Sequence, residues 1–401
     1  MLPRTARWPA TLALVASVLG LVFASYSTFD YAAHLDRQLH AVHCSFIPGA
    51  PASEDVNNAC RTAMYSPYAA LLRGQFWGGV PIASFAVGAF AFFVGFALWL
   101  VLARERSPLR ARLFFGVLGL TPVVASVVMF FISLVRLGSF CKLCVGIYVS
   151  SLLLAVAAGR TLMDARSSVG VRPGHVALPF AWLAALGASA LLPAALWVAT
   201  LPDYRPLLAS CGKLPVLVES HGALLKLPTK EPRQAVTLFV DPLCPTCKAL
   251  HERLLGEGVF ERLDPQVSMF PLDSDCNWML DRPVHPGACV LARAVLCGGA
   301  SRARQVLEWS YDEQETLAKL GKDGAALLKA KVVSRWGQDM AACLDARSTT
   351  LKLNQHLQFA VANHVPVSTP QMFLGDQRVC DEDTDLGLRF TLAQLAPQVL
   401  P

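Results

Sequence analysis

Charge is scarce in this chain of 401 residues: 16% are Asp, Glu, Lys or Arg, against 54% hydrophobic residues and a mean hydropathy of +0.44. Soluble domains average about 25% charged residues, so a large part of the chain is expected to be solvated by lipid. Five stretches have no charged residue at all: roughly 8–29, 76–103, 113–135, 143–159 and 176–201. A helix needs about 20 apolar residues to cross a bilayer, and each stretch reads as a candidate span. The first has a longer apolar run than the 7–15 residues of a signal peptide, and four more follow it, so a retained helix is expected. Internal repeats and low-complexity tracts are also missing, which excludes a repeat array. The net charge is only +6, and the basic residues of the first half flank apolar stretches. Orientation in a membrane accounts for them better than nucleic acid does.

What is present is cysteine, twelve in all. Topology places them. Arg4 and Arg7 precede the first span, Arg104, Arg106, Arg110 and Arg112 lie between the second and third, and Arg160, Arg166 and Arg172 lie between the fourth and fifth. If the spans alternate, these arginines share one side, and the positive-inside rule makes it cytoplasmic. Every cysteine then falls outside or at the outer membrane edge, as expected in an oxidising compartment. The expected organisation is a membrane domain over 1–202 and an outer soluble domain over 203–401, joined near Pro202–Pro206.

In the soluble part, Ala235–Val240 is a short β-rich run followed by Asp241-Pro-Leu-Cys-Pro-Thr-Cys, which reads as strand, turn and helix. A thiol at a helix N-terminus sits at the positive end of the dipole, which favours its thiolate. Val267–Leu272 is a second strand candidate. Residues 286–360 read as a helical insertion, Gln371–Leu374 and Gln377–Val379 as a hairpin, and 391–400 as a last helix. This part resembles the thioredoxin superfamily, nearer to its DsbA/DsbC-type branch, over about 235–275 and 360–400. The resemblance implies Cys244 as attacking thiol, Cys247 as resolving thiol and Pro370, after Thr369, as a cis-proline. A zinc pair is the alternative, but no second C-x-x-C stands at zinc-ribbon spacing in this domain.

In the membrane part, Cys141-Lys-Leu-Cys144 opens the fourth span. Cys44 and Cys60 lie in the long loop between the first two spans. Ser66 follows Cys60 by six residues, Gly79-Val-Pro81 and Gly88 mark the second span, and Tyr148 follows Cys144 by four. Together these resemble the vitamin K epoxide reductase family, in its bacterial form fused to a thioredoxin-like domain. The resemblance implies a membrane all-α bundle of four helices plus a fifth linking helix, with a C-terminal α/β thioredoxin-like domain. It further implies that Cys144 acts on a quinone (ubiquinone or menaquinone), that Cys141 resolves it and exchanges with Cys60, and that Cys44 exchanges with Cys244. Ser66 and Tyr148 line or polarise the quinone site. The Cys44–Cys60 separation is longer than the family's usual one, which bears on the loop's conformation. Without the resemblance, Ser66 reads equally as a helix cap and Tyr148 as an interface aromatic.

The expected activity is oxidation of thiols in exported proteins by a multi-pass protein of the bacterial cytoplasmic membrane. Its soluble domain is expected in the periplasm, with thiol proteins, quinone and lipid as partners. Electron flow in the opposite direction is the rival, because exchange follows reduction potentials. A metal- or haem-handling chaperone is a rival of another class. Against it, neither C-x-x-C is followed by His and no Met/His-rich tract exists, so no metal is expected. Cys211, Cys276, Cys289, Cys297, Cys343 and Cys380 are even in number and read as structural disulfides. Cys276–Cys289 is favoured because both flank the entry to the insertion, and Cys297–Cys343 and Cys211–Cys380 follow by elimination. The alternative is a second exchange path through one of these pairs. His43 reads as an activator of Cys44 or a plain loop residue. Asp241 reads as a proton acceptor or a helix cap, and Arg136 and Lys142 as thiolate or lipid partners.

Overall fold

The computed structural model describes residues 8–35, 63–103, 107–138, 141–167, 180–208 and 210–401. They fall into two compact units, Met1–Pro202 and Asp203–Pro401.

Among the described residues, the first unit contains five helical segments long and apolar enough to cross a membrane: Trp8–Ala33, Ile82–Ala103, Leu109–Leu137, Lys142–Ala165 and Phe180–Thr200. They correspond to α1 (Trp8–Leu35), α2 (Ile82–Ala103), the pair α3 (Leu109–Leu118) and α4 (Thr121–Ile132), α5 (Lys142–Ser167) and α6 (Phe180–Thr200). A π-helical turn, Ser133–Leu137, extends α4 and stops at Gly138, whose positive φ of 62° suits a residue without a Cβ. The core is aromatic. Phe90, Phe93, Phe114 and Phe115 are fully buried, and Phe96 stacks on Phe115 and meets Trp182 of α6 edge-on at 5.5 Å. The outward faces are apolar too: Val22, Leu102, Val124 and Val135 are all more than half exposed. In lipid this exposure carries no penalty, since hydrocarbon tails are as apolar as the side chains.

The second helix starts at Ile82, later than the uncharged stretch beginning at 76. Residues 70–71 (β1, Ala70–Leu71) and 80–81 (β2, Val80–Pro81) pair antiparallel instead. The turn between them uses Gly78 and Gly79 at φ of 72° and 75°. A Cβ on Gly79 would lie 2.6 Å from the Leu71 carbonyl oxygen. Tyr31 of α1 donates its hydroxyl to the Gly78 carbonyl at 2.5 Å, and Trp197 of α6 donates to the Gly79 carbonyl at 3.0 Å.

The second unit is a five-stranded mixed sheet in the order β3-β5-β4-β6-β7. Its strands are β3 (Leu225–Lys226), β4 (Gln234–Val240), β5 (Leu263–Met269), β6 (Gln371–Leu374) and β7 (Gln377–Val379). β4 and β5 are parallel and connected through α7 (Pro245–Gly256), whereas β4–β6 and β6–β7 are antiparallel. Between β5 and β6 the chain inserts α8 (Ala288–Asp312), α9 (Gln314–Asp323), α10 (Ala325–Trp336), α11 (Gln338–Asp345) and α12 (Arg347–Ala362). α13 (Leu388–Leu395) closes the unit. Two boundaries differ from expectation. β5 runs over Leu263–Met269 rather than 267–272, because Phe270 makes the last ladder bond, to the Val240 carbonyl, and Pro271 has no N–H to continue it. The last helix ends at Leu395 because Pro397 bars helical geometry at Ala396, which sits at φ −149°.

Candidate functional site

Among the described residues, each unit has one pair of unbonded cysteines: Cys141 and Cys144 in the first, Cys244 and Cys247 in the second. Cys44, Cys60 and His43 lie outside the described residues.

In the soluble unit, β4 delivers the chain to a tight turn. Asp241 Oδ1 accepts the Leu243 N–H at 2.7 Å, which folds the backbone so that Cys244 stands at the N-cap of α7. Pro245 occupies the first helical position, where a missing N–H costs nothing. Thr369 and Pro370 are joined by a cis peptide immediately before β6. The Thr369 carbonyl accepts from the Cys244 thiol at 3.3 Å and from the Thr246 hydroxyl at 3.0 Å. Thr246 Oγ1 also lies 2.9 Å from Cys244 Sγ. The Cys244 thiol is lowered to about 6, first by the hydrogen bond from Cys247 and, against the cost of burial, by Thr246. The wholly enclosed Cys247 is pushed up by burial and by its neighbour.

Beneath the pair, Asp241 is fully buried. Its Oδ2 accepts the Leu272 N–H at 2.8 Å and lies 2.8 Å from His285 Nδ1. Burial pulls the imidazole down, but the carboxylate more than compensates, and the histidine is raised. Gln314 at the start of α9 donates to the carbonyls of Pro242 and Cys244 at 3.3 and 3.1 Å, fixing the turn from the insertion side. Asp241 is therefore a hydrogen-bond partner of His285 as well as a turn-former. His285 stands 44 residues away in sequence, and no local pattern announces it.

The other six cysteines are bonded as Cys211–Cys380, Cys276–Cys289 and Cys297–Cys343. Cys211, Cys380 and Glu382 place ligand-type atoms together, but both sulfurs are in the disulfide.

In the membrane unit, Cys141 and Cys144 open onto a cavity of about 410 Å³ between α1, α2, α4 and α5. Its wall is mainly carbon, from side chains such as Phe85, Phe90, Met129 and Ile147. The polar groups on it are few, as in a small-molecule site. Ser66 and Tyr148 are both on the wall, as is Ser133 of the π-helical turn. Ser66 is buried and donates to the Ala63 carbonyl at 2.8 Å. Tyr148 is half-buried with Phe130 edge-on at 6.1 Å. Ser126 donates to Ser151 at 2.9 Å across α4 and α5. Arg136 and Lys142 are exposed. Asp30 and Tyr31, at the end of α1, also face the cavity; their signal in the sequence is a lone acid at the edge of an uncharged stretch.

The vitamin K epoxide reductase family matches residues 11–158. The membrane unit thus carries a domain of that family, extending from α1 into α5. Among solved structures, the chain is similar to a thioredoxin-like oxidoreductase from Silicibacter pomeroyi DSS-3, with 17% identity, 41% of this chain and 86% of that one covered, and a TM-score of 0.27. It is also similar to reduced DsbA1 from Neisseria meningitidis, with 16% identity, 46% and 98% covered, and a TM-score of 0.28. No curated protein matches the chain. The soluble unit is thioredoxin-like in its own geometry: a β4–α7–β5 parallel unit, an antiparallel β6–β7 pair, a C-x-x-C at the helix start and a cis-proline before β6. Among the described residues, each unit thus holds a C-x-x-C pair of unbonded cysteines, and the first has five helices long and apolar enough to cross a membrane.

Proposed function

We propose that the chain is a quinone-dependent oxidoreductase that promotes disulfide formation in exported proteins. It sits in the bacterial cytoplasmic membrane with residues 203–401 in the periplasm. Electrons pass from substrate thiols to Cys244/Cys247, then to Cys44/Cys60, then to Cys141/Cys144, and finally to a quinone such as ubiquinone or menaquinone. The orientation is supported by the nine arginines flanking the spans.

The observation that carries the reading is the position of the Cys141/Cys144 pair on the wall of a carbon-lined cavity with few hydroxyls. That donor set suits a flat dione with a lipid tail. The Tyr148 hydroxyl is a neutral donor, and the Ser66 hydroxyl becomes one by turning from the Ala63 carbonyl; both can then stabilise charge developing on a carbonyl oxygen without the desolvation cost of an ion. A bound quinone supplies a two-electron, two-proton acceptor. Cys144 faces it, and Cys141, one turn earlier, closes the disulfide behind it.

The direction is supported by Cys244. A thiol lowered to about 6 is a thiolate at neutral pH, which stabilises the dithiol state. The Cys244–Cys247 disulfide is then a ready oxidant of substrate thiols. Substrate thiolate attacks Cys244, Cys247 leaves, and a second substrate thiolate completes the exchange. Pro370 holds the Thr369 carbonyl against Cys244, where an incoming chain is to be positioned.

The test supplies reduced peptide thiols to the purified full-length protein with a soluble quinone and follows quinone absorbance. Loss of quinone matched to thiol oxidation is expected, and Cys141→Ala should abolish it. Absence of quinone turnover with stoichiometric zinc or copper on the cysteines would overturn the reading, and full turnover by Cys141→Ala would overturn the relay.

A further inference from the structure

Among the described residues, Asp30 is an ionisable carboxyl on the cavity wall, only 2% exposed. Acids inside a membrane span are expensive and mark sites of function, above all proton relays. Asp30 shares the cavity with Cys141, Cys144, Ser66 and Tyr148. It is held there by its neighbour, since Tyr31 is bonded to the Gly78 carbonyl and its ring lies 6.3 Å from that of Trp197. The end of α1 is thereby fixed to the β1–β2 turn and to α6.

We propose that Asp30 is the proton carrier of the membrane site, moving a proton between the Cys141/Cys144 pair and the quinone. The inference rests on the quinone reading above. Closing the Cys141–Cys144 disulfide breaks two S–H bonds, forms one S–S bond and releases two electrons and two protons. The quinone takes both electrons and both protons and leaves as quinol. Its two carbonyl oxygens lie on opposite edges of the ring, so one thiol cannot serve both. Asp30 accepts a thiol proton as carboxylate, passes it to a carbonyl oxygen and returns to its starting state. The other titratable groups facing this space are Tyr31 on α1, Tyr68 before β1, and Cys141, Cys144 and Tyr148. Asp30 is the carboxyl among them.

Two measurements on the full-length protein in lipid nanodiscs test this. The first follows disulfide closure in the reduced protein after mixing with a short-tailed quinone. Asp30→Asn should slow it about 100-fold, the usual size of a general acid–base contribution, and flatten the acid limb of its pH profile. Asp30→Glu should recover the rate to within about tenfold of the parent. The second omits quinone, so that the proton taken from the thiol stays on Asp30: the infrared difference spectrum between dithiol and disulfide forms, with isotope-labelled aspartate, should contain a carboxyl signal that Asp30→Asn removes. A rate for Asp30→Asn within twofold of the parent, or an unchanged pH profile in a slowed variant, overturns the inference. So does a labelled parent protein without a carboxyl signal, which decides the matter even if Asp30→Asn does not fold. If the parent protein fails to reduce quinone, the proposed function falls, and the infrared signal alone then decides whether Asp30 is proton-coupled to the cysteine pair.

Discussion

Cys244 and Cys247 are three residues apart and chemically opposed. Cys244 receives hydrogen bonds that favour its charge, whereas Cys247 is enclosed where charge is penalised. Alkylation of reduced protein by iodoacetamide should therefore select Cys244, with a midpoint near pH 6 rather than the ordinary thiol range. Thr246→Val should move that midpoint upward. Equal labelling of both cysteines, or a Cys244 midpoint at pH 8 or above, would contradict the assignment. The folded value is depressed, so the stabilising effect of the thiolate on the reduced form is full above the ordinary thiol range and is lost as pH falls through about 6. The motif itself was legible: a β-rich run, a Pro-containing turn and two cysteines at helical spacing define the geometry locally. Its support was not. His285 reaches Asp241 from a distant loop, and Gln314 reaches the turn from the first residue of α9. Such contacts are made by tertiary placement and leave no periodic trace.

At the level of elements, the membrane helices owe their closeness to small residues. A Cβ on Gly88 of α2 would stand 1.9 Å from the Ser189 carbonyl oxygen of α6, and Ser189 donates its hydroxyl to the Gly88 carbonyl at 2.7 Å. Gly88→Ala should force the two helices apart and lower stability in detergent by about 1–3 kcal/mol. Ser189→Ala removes only the hydrogen bond and should cost about 1 kcal/mol. Equal melting temperatures for Gly88→Ala and the parent would show that the contact is not made. Absence of charge over most of each span was enough to reveal these helices, because ions are costly in hydrocarbon. It could not reveal β1 and β2: two residues carry no alternation, and the pairing is set by the Gly78–Gly79 turn. The β5 boundary was missed for a related reason. An apolar run extends past Pro271, but a ladder needs N–H groups as well as apolar side chains. Asp30 was hidden by its position, since a lone acid after an uncharged stretch looks like the end of a span.

At the scale of the whole chain, the two units are held by different physics, one by aromatic packing among apolar helices and the other by a hydrophobic core with three disulfide crosslinks. The soluble unit should respond to acid. His356 is buried, accepts the Met269 N–H at 3.1 Å through Nδ1, and is pushed down to about 4 by burial. The unfolded chain protonates it near 6.5, so its contribution is full above that pH and is lost as pH falls towards 4. The drop amounts to about 3 kcal/mol. Hydrogen exchange of the β5 amides in the full-length protein should accelerate across that window. His356→Gln should flatten the response, and an identical pH dependence in that variant would exclude the histidine as its source.

The three closed disulfides of this unit have a further consequence. Cys211–Cys380 ties the start of the soluble unit to the end of β7, and the other two pin the helical insertion on which Gln314 and His356 sit. On the proposed function, a protein that supplies disulfides to others depends on three of its own before its working thiols are in place. The first copies made in a cell face a bootstrap problem, and each mature copy shortens the wait of the next.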